Sequence, residues 1–147
     1  MRANFSKIFG LAGLRVGYGV AHPEMVNLLN NVRQPFNVNL LAQAAVSAAM
    51  DDLEHVRRTL EVNAQGIEYL EGEFRRLKIA YVPTQGNFFL VDVSDGVKVY
   101  NALLRRGVIV RPMHGYQFPA HVRISVGLPE ENRKLIEALQ ALLGEPK

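Results

Sequence analysis

The sequence contains no cysteine. Neither a disulfide framework nor a thiolate metal site is therefore open to it. No apolar run is long enough to cross a bilayer. The first residues carry no secretory pattern, because Lys7 and Arg15 interrupt their apolar stretch. The net charge is only +3 and no dense Lys/Arg run is present, which speaks against nucleic acid as a partner. His22, His55, His114 and His121 stand at no metal-ligand spacing and read as structural or exposed residues. No Ser/His/Asp set is indicated. No glycine precedes a Lys-Ser or Lys-Thr pair, so the nucleotide type of phosphate loop is missing too. These absences leave a cytoplasmic protein with no nucleic-acid or membrane partner as the expectation.

What is present begins with composition. The chain has 147 residues, 48% of them hydrophobic and 21% charged. That is enough to bury one good core, with room for an appendage, in a globular protein.

The chain is organised around one stretch, Phe5-Ser6-Lys7-Ile8-Phe9-Gly10-Leu11-Ala12-Gly13-Leu14-Arg15-Val16-Gly17-Tyr18. Its glycines let backbone approach a ligand closely. Ser6 and Arg15 can donate hydrogen bonds to an anion, and an arginine fork suits phosphate. Lys7 is a potential amine nucleophile. A free lysine amine is protonated at neutral pH and attacks only when desolvated or set beside another cation.

The pattern Phe-Ser-Lys-x-x-Gly-Leu-Ala-Gly-Leu-Arg-x-Gly-Tyr resembles the lysine segment of the fold-type I aminotransferases that use pyridoxal phosphate, with the histidinol-phosphate group the closest match. Asn4 stands where that family usually has threonine. The resemblance implies that Lys7 forms the Schiff base with the cofactor aldehyde and later moves the proton between substrate Cα and cofactor C4′. It implies that Ser6 and Arg15 hold the cofactor phosphate, and that the enzyme works as a homodimer. Chains of that family are much longer than this one. Their remaining cofactor residues, including the aspartate on the pyridine nitrogen and the aromatic on the ring, precede the lysine segment. The resemblance therefore implies a C-terminal portion of an aminotransferase. Residues 1–39 would be a remnant of the large cofactor domain, and residues 40–147 the linking helices and small C-terminal domain.

Along the rest of the chain, Val16 to Val20 predicts a short strand. Pro23-Glu24 opens a helix with Met25, Leu28, Leu29 and Val32 on its apolar face, ending at Gln34-Pro35. Asn39 is the expected N-cap of a helix from Leu40 to Met50, apolar almost all round, which argues for deep burial or contact with something outside the chain. From Leu53 to Leu77, apolar residues recur at steps of three and four, one stripe on a long helix. Glu54 with Arg58 and Glu71 with Arg75 are spaced as ion pairs on its wet side. Gly66 and Gly72 should each weaken that helix by about 1 kcal/mol against alanine.

Strands are expected at Ile79–Val82, Asn87–Val93, Val108–Val110 and Val122–Val126. Helices are expected from about Gly96 to Arg106, capped by Ser94, and from Pro129 to Gly144. The order α-β-β-α-β-β-α predicts an α+β domain with helices gathered on one side of hairpin strands. It matches the small domain of the aminotransferases.

Three further residues are candidates for substrate recognition. Arg123 lies on an alternating strand and can present a bidentate fork to a carboxylate. The resemblance of Val-Arg-Ile-Ser-Val-Gly implies that Arg123 binds the substrate α-carboxylate. It implies that Arg111 binds a substrate phosphate and that Asn87 lines the substrate site. Tyr18 and Tyr116 are amphipathic residues beside these segments.

The resulting expectation is a pyridoxal-phosphate aminotransferase of the histidinol-phosphate type in amino-acid biosynthesis. It would pass an amino group from an amino acid or amino phosphate to a 2-oxo acid, with the present chain a fragment inactive by itself. A threonine-phosphate decarboxylase-like relative shares the same segments. A non-catalytic helical interaction or dimerisation domain, built on the Leu53–Leu77 stripe, is the alternative from another class.

Overall fold

The computed structural model describes residues 2–144. The chain divides into two compact units, the first running to Leu60 and the second starting at Glu61.

In the first unit, β1 (Arg2–Asn4) pairs antiparallel with β2 (Gly17–Gly19), in a register that sets Asn4 opposite Gly17. The loop between them contains a 3-10 turn at Ala12–Leu14. Helix α1 (Pro23–Val32) starts on proline, with Glu24 in its first turn where the helix dipole favours a carboxylate. Helix α2 (Leu40–Asp51) is capped as expected: Asn39 Oδ1 accepts the Ala42 N–H at 2.8 Å. Deep burial of α2 is not what the structure shows. Ala42 is its one buried residue, while Leu40 and Leu41 are 79% and 75% exposed. The apolar face of α1 is likewise exposed.

Helix α3 (Leu53–Arg76) carries the long stripe, but burial is uneven along it. Leu53 and Leu60 are exposed, whereas Leu70 and Phe74 are wholly buried. Glu71 pairs with Arg75 at 3.5 Å as expected, but Glu54 pairs with Arg57 at 2.7 Å rather than with Arg58. The i,i+3 and i,i+4 neighbours share a helix face, and here the nearer arginine takes the carboxylate.

The second unit is α+β. After α3 come β3 (Tyr81–Val82), β4 (Phe88–Asp92), α4 (Gly96–Leu104), β5 (Arg111–Pro112), β6 (His121–Ser125) and α5 (Pro129–Leu143). The strands form one antiparallel sheet in the order β3-β4-β6-β5. Side chains alternate across it, as a period of two requires. Phe89, Val91, Val122 and Ile124 point to the buried side and join one core with Leu70 and Phe74 of α3, Val99 and Leu103 of α4, and Leu135, Ile136 and Leu139 of α5. All three helices thus cover the same face. Phe88, Leu90, Arg123 and Ser125 lie on the other, open face.

Two local expectations are corrected. The N-cap of α4 is Asp95, not Ser94. Asp95 Oδ1 accepts the Lys98 N–H at 2.9 Å, while Ser94 has φ +66° and gives its own N–H to Asp92 Oδ1. Asp and Ser are comparable caps, and the tight turn at Ser94 moves the role one residue on. Val108–Val110 form no strand, and pairing with β6 is confined to Arg111 and Pro112. A cleft of about 400 Å³ is lined by Gly107–Val110 on one side and Ile124–Gly127 on the other, where a ladder would have run.

Candidate functional site

The six candidate residues fall in two groups. Ser6, Lys7 and Arg15 are in the first unit, and Asn87, Arg111 and Arg123 are in the second.

The lysine segment is a loop closed at its neck by the β1–β2 ladder. The Phe5 N–H extends that ladder by donating to Val16 O at 3.3 Å. Beyond that bond the ladder ends: the Ser6 N–H turns to Asn4 Oδ1 at 3.0 Å, and Lys7 follows as an exposed residue at the bend. Phe5 anchors the loop. It is 6% exposed, and its ring lies 4.9 Å from that of Phe9 and 6.1 Å from that of Tyr18. Tyr18 therefore supports the loop from below rather than standing alone. Inside the loop, the Gly10 N–H donates to Lys7 O at 2.9 Å and the Leu11 N–H to Phe5 O at 2.9 Å. Gly10 sits at φ +69° with open space where a Cβ would be, a conformation that favours glycine.

Arg15 is in the left-handed region at φ 53°, and its Nη1 donates to Ala12 O at 2.9 Å. That bond leaves further guanidinium N–H groups for an anion. No acidic residue precedes Glu24 in the sequence. A hydroxyl, an ammonium and a guanidinium around a glycine-bearing loop with no carboxylate of its own fit a phosphate dianion.

On the open face of the sheet, Arg123 is half-buried and lies over the Phe88 ring, 5.3 Å from its centroid. Its Nε is buried without a hydrogen-bond partner among the described residues. A buried donor left unpaired is costly, so an incoming acceptor gains from meeting it. Arg111 is the Cα partner of Arg123 across β5 and β6. Its Nη2 donates to the Tyr116 hydroxyl at 2.8 Å, and its guanidinium lies 5.2 Å from the centre of the same ring. Among the described residues neither arginine forms an ion pair. The structure therefore sets Arg111 and Arg123 opposite each other across β5 and β6. Asn87 sits just before β4, where its carbonyl accepts the Val126 N–H at 2.9 Å.

Sequence reasoning missed the ring platform under Arg123. The period-two alternation of β4 contains that signal: Phe88 stands two residues from Leu90, the Cα partner of Arg123, and so shares its face.

The sequence model of the family described as aminotransferase class I and II matches residues 4–139. The chain belongs to that family. It is 56% identical to histidinol-phosphate aminotransferase 2 of Ralstonia nicotianae, with 96% of this chain and 39% of that protein covered. It is 54% identical to histidinol-phosphate aminotransferase 1 of Nitrosococcus oceani, over 96% of this chain and 38% of that one. The chain thus spans about two fifths of the length of these relatives. Among solved structures, it superposes on the histidinol-phosphate aminotransferase of Sinorhizobium meliloti in complex with pyridoxal-5'-phosphate with a TM-score of 0.81. The identity there is 25%, and the match covers 95% of this chain and 39% of the other.

Proposed function

We propose that this chain is the C-terminal portion of a pyridoxal-phosphate-dependent aminotransferase of the histidinol-phosphate type. The observation that carries the reading is the one loop, closed by the β1–β2 ladder and the Phe5–Val16 bond, that holds Ser6, the exposed Lys7 and Arg15 together. In this reading residues 1–39 belong to the large cofactor domain, and residues 40–147 form the linking helices and small domain.

Bound pyridoxal phosphate supplies an electron sink for bonds broken at the substrate Cα. The residues of this chain do the rest. Ser6 and Arg15 would hold the cofactor phosphate by charge-assisted hydrogen bonds. Lys7 would be the residue that binds the cofactor aldehyde and that moves the proton at the substrate Cα. Arg123 offers its fork to the carboxylate of the amino acid or 2-oxo acid, and Arg111 takes the phosphate of an amino phosphate substrate. Asn87 lines the substrate side. The exposed apolar faces of α1 and α2 support a homodimer, and a cytoplasmic location follows from the biosynthetic role. Among the described residues no helix is long and apolar enough to cross a membrane.

The test is intact mass after incubation of the 147-residue chain with pyridoxal phosphate and borohydride reduction, beside Lys7→Ala. One saturable adduct, absent from Lys7→Ala, is the expected result. Labelling scattered over many lysines and unchanged in the variant overturns the role of Lys7. The chain by itself is expected to show no transamination above free cofactor.

A further inference from the structure

We propose that His55 is a positioning residue for Lys7: from the start of α3 it holds the carbonyl of Ile8, the residue after the lysine, and so fixes the turn on which the lysine stands. As far as it concerns chemistry, this inference rests on the role of Lys7 proposed above. The tether itself rests on geometry.

His55 Nε2 lies 3.0 Å from Ile8 O, although 47 residues separate them. A carbonyl only accepts, so Nε2 carries the proton. The ring is then either the neutral Nε2–H tautomer or the imidazolium, and both donate. The histidine is itself fixed at the helix start, where the His55 N–H donates to Asp52 Oδ1 at 3.0 Å. One turn further on, Thr59 Oγ1 stands 3.5 Å from the same Nε2.

The acceptor is the informative part. The bond from the Gly10 N–H to Lys7 O closes a four-residue turn, Lys7 to Gly10, with Ile8 in its second position. Such a turn uses the carbonyl of its first residue and leaves that of the second free. His55 takes this free carbonyl. The other hydrogen bonds of the loop are local: Ser6 N–H to Asn4 Oδ1, Leu11 N–H to Phe5 O, Leu14 N–H to Leu11 O, and Arg15 Nη1 to Ala12 O. Among the described residues, the contact with His55 is the hydrogen bond that ties residues 5–15 to a helix outside the β1–β2 ladder. The contact is partly buried, so water competes with it less than with a surface bond. A lysine that must meet a reacting atom within a fraction of an ångström needs a backbone held in this way.

The experiment compares wild type with His55→Ala, His55→Gln and His55→Asn in the 147-residue chain. Two readouts are taken: the rate of limited trypsin cleavage at the Lys7–Ile8 bond, and the rate at which Lys7 gains the reduced pyridoxal phosphate adduct. Helix content by circular dichroism is followed in parallel. Loss of one hydrogen bond should speed cleavage of His55→Ala about two- to tenfold and slow labelling of Lys7. Glutamine presents an N–H near the position of Nε2 and should restore both rates; the shorter asparagine should not. If His55→Ala loses its helix content, the glutamine and asparagine variants decide. Cleavage unchanged in His55→Ala, or glutamine no better than asparagine, overturns the proposal. A wild type that forms no Lys7 adduct but shows the cleavage pattern keeps the tether and rejects the cofactor role. An adduct without the cleavage pattern does the reverse.

Discussion

Arg111 and Arg123 are directly opposite each other on neighbouring antiparallel strands, on the face of the sheet turned away from the core with α3, α4 and α5. Opposed residues of this kind stand about 5 Å apart at Cα. Two like charges there are unfavourable, and each arginine is met by a ring rather than by a carboxylate. An anion between the two forks would relieve the arrangement.

Inorganic phosphate should therefore raise the melting temperature of the chain above that in chloride of equal ionic strength. At a hundred times the dissociation constant the gain is about 2.7 kcal/mol, and each kcal/mol is worth about 2–4 °C for a chain of this size. Most of this shift should vanish in Arg123→Leu. Tyr116→Phe keeps the ring but removes the hydroxyl that accepts from Arg111, and should keep only part of it. Equal shifts in wild type and Arg111→Leu/Arg123→Leu would rule out the pair as the site.

Gly66 and Gly72 are both interior to α3, and they should respond to alanine with opposite signs. A Cβ on Gly72 meets nothing within 4 Å. Gly72→Ala should thus stabilise by about 1 kcal/mol through helix propensity. A Cβ on Gly66 would overlap Val126 Cγ1 and come within 3.1 Å of Asn132 Nδ2. Valine is stiff at χ1 and has little room to yield. Gly66→Ala should destabilise by about 1–3 kcal/mol, the usual cost of overpacking. Urea melts of the two variants decide it, and the same sign for both would refute the packing argument.

Asn132 is 2% exposed, the buried polar residue of the second unit among the described residues. Its Oδ1 accepts the Gly127 N–H at 2.9 Å and its Nδ2 donates to Gly127 O at 3.0 Å, pinning the turn between β6 and α5. Asn132→Ala leaves both groups of one peptide residue unpaired. It should cost about 2–4 kcal/mol, the sum of two partly buried orphans. Asn132→Asp keeps the shape but turns the donor into an acceptor facing Gly127 O, and should cost at least as much. Chemical denaturation is the measurement, and near-wild-type midpoints would show that Gly127 finds water.

Much of the second unit was legible from the sequence, because period decides it. The steps of three and four from Ile67 to Leu70 and on to Phe74, and the alternation through Phe89, Val91, Val122 and Ile124, are written in residue type. Chain punctuation was less legible. Asp95 and Ser94 are equally good caps on paper, and only the turn at Ser94 chooses between them. Val108–Val110 read as a strand by β-branching, yet pairing needs a neighbour within reach, which β6 does not offer there. The lysine loop was recognisable from its motif, but its tether to His55 was not. A single histidine far along the chain carries no pattern. For Gly66, composition gave a small helix penalty, whereas its value lies in what packs against it.

Helix α3 runs for 24 residues, with its apolar residues exposed at Leu53 and Leu60 and buried at Leu70 and Phe74. Its peptide groups consequently have unequal lifetimes. Those near Leu70 open only when the core of the second unit opens, while those near Leu53 can fray one turn at a time. His55 sits at the short-lived end. The stiffness available to the lysine loop is thus set by how often the first turns of α3 unwind, so that anything clasping Leu53 and Leu60 would steady Lys7 from a distance.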